Sequence, residues 1–478
     1  MSFGTTEARL EVPRPVSFNR LIFRALMSLA SATLLIRVVG MGNQIVVTSH
    51  FGAGAIMDAY IVAASLPLLM GTLLVDAIRG SVVPVYARLR TDATQELGSA
   101  FFSTFLNLLA IGAAALTLVM LLFRRHVLLL MAPALDARRM ALALELAPFI
   151  FPTLVLTVAI GLLECLLNTE GQFAWPAYAG ALVPLSSSIV VLVAAKHLGI
   201  LALCVGVLVG LALQSGICVV RLRRVKLVYR PTIDLRHPAL TAIVVAALPI
   251  LLGGLIDQAS PVIDQIFASF LSGGSISALS YALKLISVPV GVMFASLGRA
   301  ALPYLSHQAA AADMPAFKGT LRLYLWAVGI GATALSVLMV VLAQPLVRIL
   351  FQRGAFTAEQ TDLTARTLTG FAIGLTPMAF GFLISKAFLA LGKLRILVYI
   401  AVLTVIANAA LDYVFARLWQ SFGIALATSA VYLLSTILLL AALRRLIGRL
   451  GLFAPPPEAL EWLHTISARR VHVWRCWR

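Results

Sequence analysis

Long apolar runs, separated by short polar stretches, dominate the chain. A transmembrane α-helix needs about 20 mainly apolar residues to cross the hydrocarbon core of a bilayer. The pattern therefore predicts an all-α polytopic membrane protein with about twelve transmembrane helices. We predict these spans at residues 22–49, 58–86, 100–123, 140–167, 174–195, 199–220, 240–270, 276–304, 321–351, 363–391, 395–416 and 422–443.

The second half of the chain repeats landmarks of the first half. "FGAG" at Phe51 is echoed by "FLSGG" at Phe270, and Pro84 in "VVPVY" is echoed by Pro303 in "ALPYL". The spacing between matched landmarks stays at 219 to 221 residues. Repeats of this kind place the substrate at their interface in many transporters. We therefore predict two pseudo-symmetric six-helix bundles at residues 1–220 and 239–445, a basic cytoplasmic linker at 221–238 and a basic cytoplasmic tail at 446–478.

The composition agrees with a membrane protein. Hydrophobic residues make up 61% of the chain, charged residues 12%, and the mean hydropathy is +0.99. Soluble proteins have about 45–50% apolar and about 25% charged residues. The net charge of +18 fits Lys and Arg that accumulate in cytoplasmic loops, so we do not expect nucleic-acid binding. The distribution of basic residues predicts that both termini are cytoplasmic, with the first span kept as a membrane anchor.

Motifs of enzymatic chemistry are missing from the sequence. Cys165, Cys204, Cys218 and Cys476 lack the spacing of a zinc site. The sequence also contains no P-loop, no HExxH motif and no nucleophile elbow. We therefore predict that the chain is not an enzyme.

Several basic residues fall inside the predicted spans, where a charge is costly and usually faces a cavity or a partner. Arg37 lies in mid-helix and Lys284 lies inside its span, whereas Arg79 and Arg299 lie near helix ends. Such cations suit a phosphate head group, because Arg can bind it bidentately and Lys as a point charge. The alternative is that these long side chains reach the membrane surface. Asp76, three residues before Arg79, either pairs with it or lies beside it at the cytoplasmic mouth of a cleft, where a head group would enter.

Oxygen-bearing side chains form a second candidate cluster. Asn408 and Asp412 are four residues apart on one helix face, and Asp264 and Thr428 lie in two other predicted spans. Carboxylate, amide and hydroxyl oxygens are ligands that hard cations prefer. The pattern permits a sodium or proton coupling site, and ordinary hydrogen bonds between helices are the alternative.

Four stretches of the chain resemble the MurJ (MviN) family of lipid II flippases, which belongs to the MOP flippase superfamily. They are "RVVGMGNQIVVTSHFGAGAIMDAYIVAASLPLL", "VVPVYARL", "DQIFASFLSGGSISALSYALKLISVPVGV" and "ILFQRGAFTAEQTDLTARTLTGFAIGLTPMAFGFLISKAFLALG". The resemblance spans residues 20–445. It implies a MOP/MATE-like fold and alternating access. It also implies a cationic cavity for the pyrophosphate of an undecaprenyl-linked sugar in the bacterial inner membrane.

By the same resemblance, Arg37, Asp58 and Lys284 match residues of the family's substrate site. Lys284 stands where the family has an arginine, so the charge is kept but the bidentate fork is lost. The family's sodium site implies a ligand set of Asp264, Asn408, Asp412, Thr428 and a backbone carbonyl near Ile424.

The chain also departs from the family pattern. Asn43 stands where the family has a second arginine in its first helix, and Gly71 and Thr72 lie near the family's arginine pair. The family usually adds two C-terminal helices that form a groove for the lipid tail, which the short tail after residue 445 is not expected to supply. A different lipid-linked glycan is therefore an alternative to lipid II.

These observations predict a flippase that moves an undecaprenyl-pyrophosphate-linked saccharide across the bacterial inner membrane, coupled to a cation. We expect a monomer whose partners are a lipid-linked oligosaccharide and membrane lipids, with no cofactor other than a bound sodium ion. One alternative is a MATE-type small-molecule exporter; such exporters favour acidic cavities, which the cations of helices 1 and 8 oppose. Another is a non-transporting scaffold for cell-wall enzymes, for which cavity charges would be dispensable. The substrate-site candidates are Arg37, Asp58, Asp76, Arg79, Lys284 and Arg299.

Overall fold

In the computed structural model, every element among the described residues is an α-helix. The structure describes residues 15–92, 95–223 and 238–448, with side chains in 31–82, 103–223, 240–293 and 301–448. Most of the predicted linker and most of the predicted tail lie outside these ranges. The helices are α1 (Pro15–Phe51), α2 (Ala55–Asp92), α3 (Gln95–Leu122), α4 (Arg124–Met131), α5 (Ala137–Ile150), α6 (Thr153–Thr169), α7 (Ala174–Ala179), α8 (Leu182–Leu198), α9 (Leu201–Arg223), α10 (Pro238–Ser269), α11 (Ser275–Ala310), α12 (Met314–Phe351), α13 (Ala358–Ile373), α14 (Leu375–Ala390) and α15 (Leu394–Ile447).

The described part of the chain contains nine helical segments that are long and apolar enough to cross a membrane, and the bent pairs α5–α6 (40°) and α13–α14 (41°) bring the candidate spans to eleven. At about 1.5 Å per residue, α15 would be about 81 Å long, far more than the roughly 30 Å of hydrocarbon in a bilayer. Its backbone breaks at Gln420, where φ is 54°, so α15 provides two spans. The prediction of an all-α polytopic fold is confirmed.

The outer faces of these helices are apolar. Val193 is 74% exposed, Leu122 is 71% exposed and Val341 is 67% exposed. In lipid no water is available for unpaired backbone groups, so a spanning segment satisfies them within its own helix. Exposed apolar side chains on helices of this length therefore indicate faces that contact lipid.

Buried apolar side chains tie the two predicted halves together. The largest cluster contains Met57 of α2, Leu279 and Tyr281 of α11, and Phe351 of α12. A second cluster lies mainly in α2, α3, α5, α6 and α9, and a third lies in α11, α12, α14 and α15. The division into bundles of six helices stays a prediction. The large shared cluster shows where helices from both sides meet, and the candidate site lies beside it.

One short helix was not predicted from the sequence. The segment α4 (Arg124–Met131) follows the third span and begins with two arginines. It is too short to cross a bilayer, so the search for long apolar runs could not find it. Its Leu128 and Met131 are buried in the shared cluster.

Candidate functional site

Two contacts join α1 to α11, and we call each contact a rung and the two together the α1/α11 seam. Its residues are Arg37 and Gln44 of α1 and Lys284, Ser287 and Gly291 of α11. Arg37 precedes Gln44 by seven residues, and Lys284 precedes Gly291 by seven residues. Seven residues make about two helical turns, so each pair lies along one helix face. The seam therefore joins one stripe of α1 to one stripe of α11.

The first rung holds the Arg37 guanidinium against the backbone of α11. Its Nη1 donates a hydrogen bond to the Ser287 carbonyl oxygen at 3.1 Å. Gly291 provides the space for this contact, because a Cβ at that position would overlap Nη2 of Arg37. The guanidinium is thus held between the predicted halves, where an anion could compete for it.

The second rung joins Lys284 to Gln44. The Lys284 Nζ donates to Gln44 Oε1 at 2.8 Å. An ammonium group only donates, so this contact fixes the amide with its oxygen toward Lys284 and its nitrogen away. Gln44 is 6% exposed, and its Nε2 has no hydrogen-bond partner among the described residues. Sequence reasoning missed Gln44; its position seven residues after Arg37 was the available signal.

A cavity of about 640 Å³ opens next to the seam. Lys284 lines it from α11, Asp264 and Gln265 line it from α10, and Ser65 and Thr72 line it from α2. The rest of its wall is largely apolar, with residues such as Met57, Leu68, Leu69, Ile150, Val262 and Leu283. Largely apolar pockets with a few converging polar groups are the usual form of a ligand site.

The oxygen-bearing cluster predicted from the sequence does assemble. Nδ2 of Asn408 donates to Asp264 Oδ1 at 2.8 Å and to Asp412 Oδ2 at 2.9 Å. Oγ1 of Thr428 donates to Asp264 Oδ2 at 3.1 Å and contacts the Ile424 carbonyl oxygen at 3.2 Å. Helix α10 and both limbs of α15 therefore meet at one polar point within the membrane-spanning part of the fold.

Two oxygens of this cluster have no donor. Oδ1 of Asn408 and Oδ1 of Asp412 are buried and find no hydrogen-bond partner among the described residues. Buried oxygens without a donor fit a bound cation, since they are the groups that a hard ion takes as ligands. Among the described residues, no three or more His, Cys, Asp or Glu side chains are placed so that they could hold a metal ion. A cation here would rely on amide, hydroxyl and carbonyl oxygens beside two carboxylates.

Asp58 lies in the contact between α2 and the N-terminus of α11. Its side chain is fully buried, and it accepts hydrogen bonds from the backbone N–H of Gly274 (2.7 Å) and Ser277 (2.8 Å). Nη1 of Arg139 lies 3.3 Å from the same carboxylate. Gly274 has φ 96° and lies so close to Ala53 that a Cβ would meet its carbonyl oxygen. The carboxylate thus neutralises a helix N-terminus and a buried guanidinium at once.

Further bonds join the two predicted halves at this same end of the fold. The Tyr281 hydroxyl donates to the Gly52 carbonyl oxygen at 2.8 Å. The Ala53 N–H donates to the Gln360 Oε1 at 2.8 Å, and the Ala355 N–H donates to the Ser49 carbonyl oxygen at 2.8 Å. We call this set, with the Asp58 contacts, the α2/α11 latch. It closes the cleft at the end that carries the α1–α2 turn.

Arg79 is engaged in an ion-pair network. Its Nη2 lies 3.1 Å from Glu164 Oε2, and its Nη1 lies 3.8 Å from Asp76 Oδ1. Glu164 also accepts from Gln214 Nε2 at 3.0 Å. These bonds link α2, α6 and α9 on one side of the cleft. The structure places Arg299 on α11, but its side chain lies outside the described residues.

Comparison with known proteins identifies similar sequences over most of the chain. The family model for "Lipid II flippase MurJ" matches residues 47–456. The "Lipid II flippase MurJ" of Burkholderia cenocepacia is 28% identical over 450 residues, which cover 92% of this chain and 86% of that protein. The "Probable lipid II flippase MurJ" of Bdellovibrio bacteriovorus is 26% identical over 438 residues, covering 89% of this chain and 82% of that protein.

Solved structures with the same fold come from two groups of transporters. "Lipid II flippase MurJ, inward closed conformation" aligns with a TM-score of 0.74 at 21% identity, covering 87% of each chain. An inward-facing "multidrug resistance MATE family transporter of the MOP superfamily" aligns with a TM-score of 0.72 at 15% identity, covering 90% of this chain and 99% of that one. At these identities the likeness concerns the fold alone.

Proposed function

Because this chain belongs to the MurJ family of lipid II flippases, we propose that it moves lipid II across the bacterial inner membrane by alternating access. The observation that carries the proposal is the α1/α11 seam, where Arg37 and Lys284 meet across facing helices and Lys284 lines a cavity between helices of both predicted halves. A pyrophosphate is a stronger acceptor than the neutral oxygens that these cations now contact. The chain is a multi-pass transporter and not an enzyme.

We place both termini in the cytoplasm, in line with the basic residues near them. In this orientation the α2/α11 latch lies on the periplasmic side. The latch then holds the periplasmic end of the cleft closed, and its release would be part of the outward step. We also propose that a monomer is the working unit.

A small-molecule exporter with the same fold is the second candidate, and its support is the likeness to MATE transporters. Cation exporters need acidic cavities that attract their substrates. Here the seam presents a guanidinium and an ammonium, which would repel a cationic drug. The charge of the seam therefore favours the lipid-linked pyrophosphate.

Complementation of bacterial cells depleted of their own lipid II flippase tests the proposal. We expect the wild-type chain to restore growth and the exposure of lipid II at the outer face of the inner membrane. A well-expressed wild-type chain that restores neither would contradict lipid II as substrate and direct the search to other lipid-linked glycans.

We also propose that the oxygen cluster of α10 and α15 holds the coupling cation, with sodium as the leading choice. Asp264, Asp412, Thr428 and the free Asn408 Oδ1 would supply side-chain ligands, and the Ile424 carbonyl oxygen would complete the set. The proposal is supported by the two buried oxygens that lack donors. A bound cation would offset the repulsion between two close carboxylates and draw α10 to α15.

Sodium should stabilise the wild-type protein, because an ion that binds only the folded state raises its stability as the concentration rises. We expect the thermal midpoint in detergent to increase with sodium chloride relative to choline chloride at equal ionic strength. Asp264→Asn and Asp412→Asn should lose this increase. Asp257→Asn is the matched control, since Asp257 is an exposed carboxylate of α10, the helix that carries Asp264. This variant should keep the sodium-dependent increase of the thermal midpoint. A wild-type midpoint that does not respond to sodium would overturn the sodium proposal.

A further inference from the structure

Gln44 is the unexplained member of the α1/α11 seam. It is almost fully buried, at 6% exposure, yet its Nε2 donates to no described group. A buried donor without a partner costs roughly 1–3 kcal/mol. Its amide cannot simply be turned over, because Lys284 needs an acceptor and only Oε1 can serve. The fold therefore holds two amide N–H bonds ready beside an ammonium group.

The adjacent amide side chain, Asn43, contacts a different helix from Gln44. Asn43, which stands where the resembling family has an arginine, accepts a hydrogen bond from the Ser188 hydroxyl at 3.0 Å with its Oδ1. Asn43 is thus engaged with α8, whereas Gln44 is engaged with α11. Of these two adjacent amides, only Gln44 lies on the face of α1 that also carries Arg37.

The groups on the seam suit an anion with two phosphates. Lys284 has three N–H donors and gives one to Gln44. Gln44 has two unused N–H donors, and Arg37 gives one of its five to Ser287. In α1, Gln44 and Arg37 lie about two turns, or roughly 10 Å, apart along the axis. The Arg37 and Gln44 side chains both extend well beyond the backbone, so their donors can converge on one diphosphate that is shorter than this spacing.

We propose that the Gln44 amide is a phosphate-binding group of this site, an inference that rests on the proposed function. When α1 and α11 separate, the Lys284–Gln44 bond is exchanged for bonds from both side chains to one phosphate, and Arg37 leaves the Ser287 carbonyl for the other. The same bonds that close the seam in the structure are then the ones that substrate replaces. Head-group binding and opening of the seam become a single event.

Binding of farnesyl diphosphate to the purified full-length chain in nanodiscs tests this assignment, with farnesol as the uncharged probe. Gln44→Leu removes the N–H donors and keeps the volume. We expect it to weaken farnesyl diphosphate binding roughly tenfold or more, as for a hydrogen bond to a charged group, and to leave farnesol binding unchanged. Gln214→Leu is the matched control: that glutamine is equally buried and bonds Glu164 away from the seam, and its variant should bind as wild type does.

Gln44→Leu and Gln44→Glu together separate a binding role from a structural one. If Gln44 only holds Lys284 in the closed seam, Gln44→Leu frees that ammonium and should bind farnesyl diphosphate as well as wild type or better, with a lower thermal midpoint that Gln44→Glu restores. If Gln44 binds phosphate, both variants should bind farnesyl diphosphate more weakly than wild type, and Gln44→Glu most weakly, because a carboxylate repels the diphosphate and retains Lys284. Equal binding by Gln44→Leu and wild type, or tighter binding by Gln44→Glu, would overturn the inference. A wild-type chain that fails to bind farnesyl diphosphate would refute the proposed pyrophosphate site as well.

Discussion

Cells that depend on this chain for lipid II export are expected to stop growing when Arg37 or Lys284 is replaced by alanine. Each change removes a cation from the seam beside the cavity. Charge-assisted hydrogen bonds contribute roughly 1.5–3 kcal/mol each, so each loss should lower flipping by an order of magnitude or more. The measurement is growth, together with the fraction of lipid II that becomes accessible at the outer face of the membrane.

Conservative variants sharpen this prediction. Lys284→Arg keeps the charge and should retain activity, whereas Arg37→Lys keeps the charge but loses the planar fork and should be intermediate. Arg366→Ala is the matched control, because Arg366 is an exposed arginine paired with Asp362 on the surface. Full growth with Arg37→Ala and Lys284→Ala together would contradict the cationic site and favour a scaffold role.

Asp58→Ala is expected to destabilise the protein strongly. The change leaves the buried Arg139 guanidinium without its buried partner and two N–H groups of the α11 N-terminus without an acceptor. Removing one member of a buried ion pair costs about 3–5 kcal/mol. We expect a much lower thermal midpoint and reduced folded protein, measured by fluorescence-detected size exclusion after heating.

Asp136→Ala provides the control for this experiment. Asp136 bonds the same Arg139 at 2.8 Å, but its side chain is 56% exposed, and exposed pairs contribute about 0–1 kcal/mol. Asp136 is also the N-cap of α5, which adds about 1 kcal/mol, so its loss should still cost less than that of Asp58. The Arg139 backbone N–H holds the pKa of Asp136 below its usual range. Asp136 is therefore ionised at neutral pH, and its contribution is lost only as the pH falls through that lowered pKa. Equal losses from Asp58→Ala and Asp136→Ala would show that burial does not matter at the latch.

The helices could be predicted from the sequence because a bilayer permits few alternatives. An apolar run of sufficient length must form a helix there, so the twelve spans follow from the pattern alone. The break at Gln420, where φ is 54°, falls in the gap between the predicted spans 395–416 and 422–443. The bend between α13 and α14 lies inside the single predicted span 363–391 and was not predicted.

The site was only partly predictable, since its contacts join distant parts of the chain. Asn408 and Asp412 could be paired by their spacing, but their meeting with Asp264 depends on how α10 packs on α15. The space that Gly291 gives to Arg37 is likewise a property of two helices. Gln44 escaped notice because an uncharged amide in an apolar run carries little signal until its partner is known.

The break at Gln420 involves one residue, so the two limbs of α15 are joined without a loop. We expect their relative orientation to be rigid, which keeps the distance between Asp412 on one limb and Thr428 on the other. Helix α10 bends more easily than α15, because Pro249 and Pro261 each remove a backbone hydrogen bond from it. We therefore expect α10 to move relative to α15 when a cation binds or leaves the cluster, while the two limbs of α15 keep their positions.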